Sequence, residues 1–505
     1  MPPDTLTDIL LTHAHLDHCG YLPRLVRDGF SGPIWCTATT ARLAEIVLRD
    51  AAFLAERDAL DAAEGGWSKH HPPLPLYTIT DVENTLPLLT AVDYDRDLDL
   101  RDGVWARYTR AGHILGAASI RVETPETSVL FSGDLGRAEH PVLRAREIPQ
   151  GADYVLAEST YGDRDHPRPR NLPHEDFADV IRRTIQRGGS VLVPAFAVDR
   201  TEVVLSVLAQ MRRYERIPKV PIIVNSPMAL AALQVYRETP EELRADLDLP
   251  EILGDIVEVR SADESRAYTE GRHSPSIIIS SSGMATGGRV LHHLERMLPD
   301  PRHSVVFTGY QAVGTRGRNL VEGATKLKMR GKYVAVRAEI LQDREFSVHA
   351  DGSDMIAWLR ELNPAPDTVF CVHGEPEATA ALEERIEREA GLDAVVPHLD
   401  EVVALAPPTR GVQDRVAAHP VRLSPSSQPS ADSTDPVPHP GLSPSAVVAH
   451  AAAGSLPLTV TLGGLPLQGI RVEGSLSPRV VDDATLVLEG AITLHFDRAG
   501  AEDAG

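Results

Sequence analysis

The sequence predicts an α/β protein of layered sheets flanked by helices. Short apolar runs alternate with stretches of helical period from the first residue to about 407. The helical stretches have the roughly 10–15-residue length that connects strands in such layers, and the candidate chemistry falls at the ends of the apolar runs.

Taken in chain order, TDILLT is followed by PRLVRDGF, and GPIWCT by the long helical stretch TARLAEIVLRDAAFLAERDA. SIRVET and SVLFSGD read as a hairpin, with Pro125 and Glu126 at its turn. DYVLAEST is a further strand, and SVLVPAFAV runs into the helix TEVVLSVLAQMRR. Later units repeat the strand-then-helix order: VPIIVNSP with MALAALQVYRE, SIIISSSGMATGG with RVLHHLERML, and TVFCVHGE with ATAALEERIEREA. The character changes near Ala406. Residues 408–453 are rich in Pro and Ser without apolar periodicity and read as a disordered linker. Residues 454–505 show short alternating runs with Gly turns, the pattern of a small β-rich appendage.

Composition narrows the function classes. The 505 residues carry 50 Lys+Arg against 72 Asp+Glu, a net charge of −22, so a general nucleic-acid coat protein is excluded. Residues 411–505 hold five Arg and ten acidic residues and form no basic arm. Three cysteines, Cys19, Cys36 and Cys371, cannot make a disulfide framework, which favours a reducing, cytoplasmic setting. No apolar run approaches the roughly 20 residues that span a bilayer, and the N-terminus has no secretory pattern.

The strongest local signal is His13-Ala14-His15-Leu16-Asp17-His18, directly after TDILLT. Imidazole nitrogens and carboxylate oxygens suit a borderline divalent ion such as zinc, at about 2.0–2.2 Å. A strand-end turn can present His13 and His15 to one ion, and Asp17 and His18 to a second. A lone His or a lone strand-end Asp is usually structural. Here His113 lies between two strands, Asp134 ends VLFSGD, Glu158 ends DYVLAE and His373 ends TVFCVH, so all four converge on the same end of the sheets.

These residues stand in ordered motifs: LTHAHLDHCG (11–20), AGHILGAAS (111–119), FSGDLGR (131–137), AESTYGDR (157–164), VLVPAFAVDRTEVV (191–204), NSPMA (225–229), SSGMATGGRVLHHL (281–294), FTGYQAVGTRGR (307–318), EFSVHAD (345–351) and VHGE (372–375). Across about residues 7–405 the chain resembles the metallo-β-lactamase superfamily, and within it the β-CASP nucleases. It looks like the branch containing the endonuclease subunit of the eukaryotic mRNA 3′-end cleavage and polyadenylation complex and its prokaryotic relatives. The resemblance implies an αββα sandwich formed by residues 1–163 and 345–407, with a β-CASP domain, 164–344, inserted between. It implies two Zn²⁺ ions, one held by His13, His15 and His113, the other by Asp17, His18 and His373, with Asp134 bridging. Glu158 would support the metal centre, and His349 would stand beside the scissile phosphate. His373 matches the position that is His in RNA-acting members and typically Val in DNA-acting ones.

The implied function is hydrolysis of single-stranded RNA by hydroxide generated between the two ions, with Asp17, Asp134, Glu158 and His349 as catalytic residues and His349 as general acid. No further cofactor and no membrane are expected; a homodimer is expected by analogy. Arg289, Arg316, Arg318 and the run Lys326, Lys328, Arg330, Lys332 are candidates to line a backbone channel, although a solvated edge strand is the stronger reading of the run. The loop SSSGMATGGR (280–289) could hold a phosphate or be a plain turn. Relatives begin with additional strands, one bearing a structural Asp, before the HxHxDH segment, where this chain has twelve residues. A misassigned gene start is the favoured account; a poorly active fragment and replacement by another segment are the others. The competing functions are a non-catalytic RNA-processing scaffold and a small-ester or thioester hydrolase.

Overall fold

The computed structural model describes residues 2–66, 68–167, 172–270, 274–399, 401–405 and 407, and the backbone of strands at 455–460, 467–482 and 485–498. Two seven-stranded sheets face each other across an apolar layer. The first has the order Val402–Leu405, Thr485–Arg498, Leu467–Asp482, Ser455–Val460, Ile9–Leu10, Ile34–Thr37, Leu89–Val92. The second runs Asp393–Val395, Thr368–Val372, Tyr154–Glu158, Ser128–Phe131, Ala118–Glu123, Trp105–Arg110, Asp97–Asp99. Leu10 and Leu405 from the first sheet pack with Tyr108, Ile120, Phe131, Leu156 and Phe370 from the second. The hairpin falls where the turn residues put it. Ile120 pairs with Phe131 and Val122 with Val129, and the Thr124 hydroxyl accepts from the N–H of Glu126 and Thr127.

A third sheet of six strands, all parallel, lies between the segments that supply the second sheet. Its order is Ile256–Glu258, Ile222–Val224, Ile277–Ser280, Val191–Pro194, Ser304–Phe307, Glu339–Gln342. Its central strands are buried along their whole length. This explains why VLVP, IIIS and SVVF read as unbroken apolar runs: helices cover both faces of a parallel sheet. The long helical stretch near the N-terminus is the helix Ala38–Gly65, started by the Thr37 side chain accepting from the Thr40 N–H.

The β-rich tail expected after 454 joins the first sheet: Ser455–Val460 runs parallel to Ile9–Leu10, with Ile9 beside Thr459, and Thr485–Arg498 pairs antiparallel with Val402–Leu405. The edge of the strand that leads to His13 is thereby paired, which removes an exposed row of backbone donors and acceptors. The basic run forms the hairpin Lys326–Met329/Lys332–Ala335, with Lys326, Lys328 and Lys332 exposed and Leu327 and Met329 buried. It is a solvated ribbon, and Arg330 pairs with Glu295. The expected linker, 408–453, lies outside the described residues. Among the described residues no helix is long and apolar enough to cross a membrane, and Cys19, Cys36 and Cys371 are buried free thiols.

A buried polar network ties the third sheet to the sandwich. His140 Nδ1 accepts from the N–H groups of Val142 and Leu143 at 3.1 and 2.9 Å, so Nε2 carries the proton and donates to Asp199 at 3.3 Å. Tyr236 donates to the other Asp199 oxygen at 3.1 Å. In the first turn of the helix Arg200–Arg213, Glu202 is buried, and among the described residues neither of its carboxyl oxygens has a hydrogen-bond partner. Burial, and then the Asp199 charge, push its pKa well above the ordinary value. The folded chain therefore binds more protons than the unfolded chain above the ordinary Glu pKa, and stability falls with rising pH at about 1.4 kcal/mol per unit in that window. Glu202→Gln is expected to remove this slope. In urea unfolding, the variant should match the wild type near pH ~4.5 and exceed it at about pH 8; parallel pH profiles would show that Glu202 is not held neutral.

Candidate metal centre

Each candidate ligand sits where a strand stops. Ile9–Leu10 leads into Thr12-His13-Ala14-His15, and the short helix Leu16–Cys19 then carries Asp17 and His18. Asp134 follows the strand Ser128–Phe131 through Gly133, whose φ is +58° and whose added Cβ would lie 2.9 Å from the Ala118 carbonyl. His113 follows Gly112, at φ +68°, where a Cβ would lie 2.8 Å from the Arg146 nitrogen. Only glycine meets both demands at these positions. His373 follows Thr368–Val372 in the left-handed region, φ +53°.

The structure brings all seven expected ligands together. Ligand atoms of His13, His15, His113 and Asp134 lie within 4.8 Å of one another, and so do those of Asp17, His18 and His373. Asp134 faces both groups. Its Oδ2 is 3.5 Å from His13 Nε2 and 3.6 Å from His113 Nε2, while its Oδ1 is 3.2 Å from His18 Nε2 and 3.6 Å from His373 Nδ1. His15 Nδ1 faces His113 Nε2 at 3.1 Å, and His373 Nε2 is 3.6 Å from Asp17. The Thr12 hydroxyl contacts His13 Nδ1 at 3.1 Å, which leaves Nε2 for the centre.

The donor set fits divalent cations. Among the described residues, His13 Nε2, both His18 nitrogens, His113 Nδ1 and Asp134 Oδ1 are buried with no hydrogen-bond partner. Such groups are costly unless an ion or another donor engages them. Burial, then the His18 charge, lower the His13 pKa to about 3, and burial likewise lowers His15 and His113. Their imidazoles are therefore neutral, the form that binds metal. Burial alone would raise Asp134, but His373, His18 and His13 hold it well below the carboxylate range. Burial would likewise depress His373, yet Asp134 and Asp17 push it up to about 10. The carboxylates thus create a strong demand for positive charge at this point.

Glu158 and His349 occupy the next layer. Glu158 is buried at the end of Tyr154–Glu158; it accepts from the Leu135 N–H at 2.7 Å and from the Thr160 hydroxyl. His349 Nδ1 is 3.3 Å from Glu158, and its ring centroid is 4.3 Å from that of His113. Burial disfavours the imidazolium, but the Glu158 pair outweighs it and raises the His349 pKa. The His349 segment is pinned to the Asp134 loop: Gly136 and His349 form a β-bridge, and the Ala350 N–H donates to Leu135 at 2.7 Å.

Some contributors had no role in the sequence reading. Thr160, inside AESTYGDR, contacts both Glu158 and His373 Nδ1, the latter at 3.3 Å. Glu242 reaches from the inserted segment to the His113 loop, accepting from the Gly116 N–H and from Arg110 at 3.1 Å each. Thr160 was within reach of a motif; no local pattern marks Glu242. The candidate channel arginines are engaged elsewhere: Arg289 donates to Asn225, Val259 and Arg260, Arg316 to Thr286 and Lys328, and Arg318 to Glu322.

Sequence models of three families match the chain. The metallo-β-lactamase superfamily covers residues 1–195, the Beta-Casp domain 201–320, and the Zn-dependent metallo-hydrolase RNA specificity domain 333–397. Ribonuclease TTHA0252 of Thermus thermophilus is 35% identical over 387 residues, 75% of this chain and 84% of that protein. Transcription termination factor FttA of Methanothermobacter thermautotrophicus is 31% identical over 412 residues, 78% of this chain and 62% of its own length. An RNase J-like protein of Methanocaldococcus jannaschii is 29% identical over 371 residues, 73% of this chain and 81% of that protein. With its candidate ligands at strand ends, its inserted parallel sheet and these matches, the chain belongs to the β-CASP family of the metallo-β-lactamase superfamily.

Proposed function

We propose that the chain is a zinc-dependent ribonuclease that hydrolyses phosphodiester bonds of single-stranded RNA. The observation that carries this reading is the Asp134 carboxylate, set between two clusters of imidazoles with the His349–Glu158 pair alongside. His13, His15 and His113 would hold one ion, Asp17, His18 and His373 the other, and Asp134 both. When bound, the ions supply an ionised water near neutral pH and neutralise charge on the phosphoryl oxygens. RNA as substrate is supported by the RNA specificity domain matched at 333–397, by the relative named as a ribonuclease, and by His at position 373.

The chain's own residues supply orientation and a proton. Because Glu158 occupies His349 Nδ1, Nε2 is left as the nitrogen that meets the substrate. As the new P–O bond forms and the old one breaks, His349 gives its Nε2 proton to the departing ribose oxygen. Glu158 is a positioning residue in this scheme, since its oxygens are shared among His349, Thr160 and the Leu135 N–H. Asp17, the exposed member of the ligand set, sits at the open side of the centre.

Asp134→Ala is expected to abolish cleavage of 5′- and 3′-labelled single-stranded RNA and to lower bound metal, while RNA binding persists. Full cleavage by a chelator-treated Asp134→Ala preparation would overturn the assignment. For the wild type, chelation should stop cleavage and Zn²⁺ should restore it. His349→Ala is expected to slow cleavage about 10²–10⁴-fold, the usual worth of a positioned acid, with metal content unchanged. Metal loss in that variant would make His349 a ligand instead.

A further inference from the structure

Phe196 leaves the C-terminal end of Val191–Pro194, the inner strand of the parallel sheet, between two buried alanines, Ala195 and Ala197. Its own side chain is 41% exposed. The backbone beneath it is fixed: the Phe196 carbonyl accepts from the Thr201 N–H at 3.2 Å and the Thr201 hydroxyl at 2.9 Å. The ring rests on the loop after Ile277–Ser280, so close that a Cβ on Gly283 would fall 2.9 and 3.0 Å from its Cδ2 and Cε2. Its centroid is 6.5 Å from the His15 ring, tilted by 48°. The residue after His15, Leu16, is 49% exposed.

A single exposed aromatic on a protein surface needs no explanation. This one is backed by a glycine loop, anchored by two hydrogen bonds and directed at a candidate metal ligand. We propose that Phe196 is a stacking platform for a nucleobase of the RNA beside the reacting phosphate, with Leu16 extending the apolar rim. This rests on the reading of the site as RNA-cleaving. An aromatic face accepts any base, because every base presents a π-face. The site therefore gains grip on unpaired, splayed-out nucleotides without reading their sequence. Paired bases, stacked within a duplex, cannot offer that face to Phe196, so the platform selects for single strands.

The test is binding of short single-stranded RNA with cleavage-resistant phosphorothioate linkages by the metal-loaded full chain, measured by fluorescence anisotropy. The same oligonucleotides carry one abasic riboside, moved position by position. In the wild type one abasic position is expected to weaken binding about 5- to 100-fold, the range for loss of one stacked base. Phe196→Ala should weaken binding of the intact RNA by a similar factor and make that abasic position cost nothing more. Phe196→Trp should restore binding, and Phe196→Leu, which keeps apolar bulk but no π-face, should not. In cleavage assays the Phe196→Ala effect should appear in KM, with metal content unchanged. Equal affinity of wild type and Phe196→Ala, an abasic penalty that survives in Phe196→Ala, or full rescue by Phe196→Leu would each overturn the platform. Because the readout is binding, base-dependent binding by a wild type that cleaves no RNA would refute the ribonuclease reading and leave the platform standing.

Discussion

A carboxylate buried at the meeting point of two sheets constrains everything around it. Asp134 is withdrawn from water, and an unpaired charge in that position costs several kcal/mol. Imidazoles of His13, His18, His113 and His373 stand 3.2–3.6 Å from its two oxygens. They arrive from three separate stretches of chain, with His13 and His18 on one, and the Asp134 loop is a fourth. The sheets must bring their C-terminal strand ends to one place for this to happen. The tight turns at Gly112 and Gly133 are the local cost of aiming His113 and Asp134 inward.

The third sheet contributes more than a cover. Glu242 fixes the loop that bears His113, so that candidate ligand is held partly from the inserted segment. His140, Asp199 and Tyr236 hold the two parts together through a buried network, at the helix start where Glu202 is kept neutral. Phe196 projects from the same region toward His15. Geometry at the candidate metal centre and the placement of Phe196 are thus linked through hydrogen bonds that run between the two parts.

The α/β class, the hairpin and the strand-then-helix units were legible because each depends on local periodicity. The candidate ligands were legible because HAHLDH is a dense, short-range pattern, and because strand ends in layered sheets gather at one edge. What was hidden depends on distance along the chain. Nothing in Glu242's neighbourhood says that its carboxylate meets Gly116, and nothing in Ser455–Val460 says that it will lie beside Ile9–Leu10. Charge was equally deceptive. Arg289, Arg316 and Arg318 look free in sequence but spend their donors on backbone carbonyls and a neighbouring carboxylate. Phe196 was hidden for the opposite reason, since an apolar residue after a buried strand reads as more core.

The span from His13 to His373 has a consequence for biosynthesis. A ribosome releases the first imidazoles hundreds of residues before the last, and the whole inserted sheet is made in the interval. Six of the seven candidate ligands, His13, His15, Asp17, His18, His113 and Asp134, are made before that sheet and His373 alone after it, so the group of Asp17, His18 and His373 cannot close on an unfinished chain. Closure of that second group is therefore a late event that reports completion of the fold.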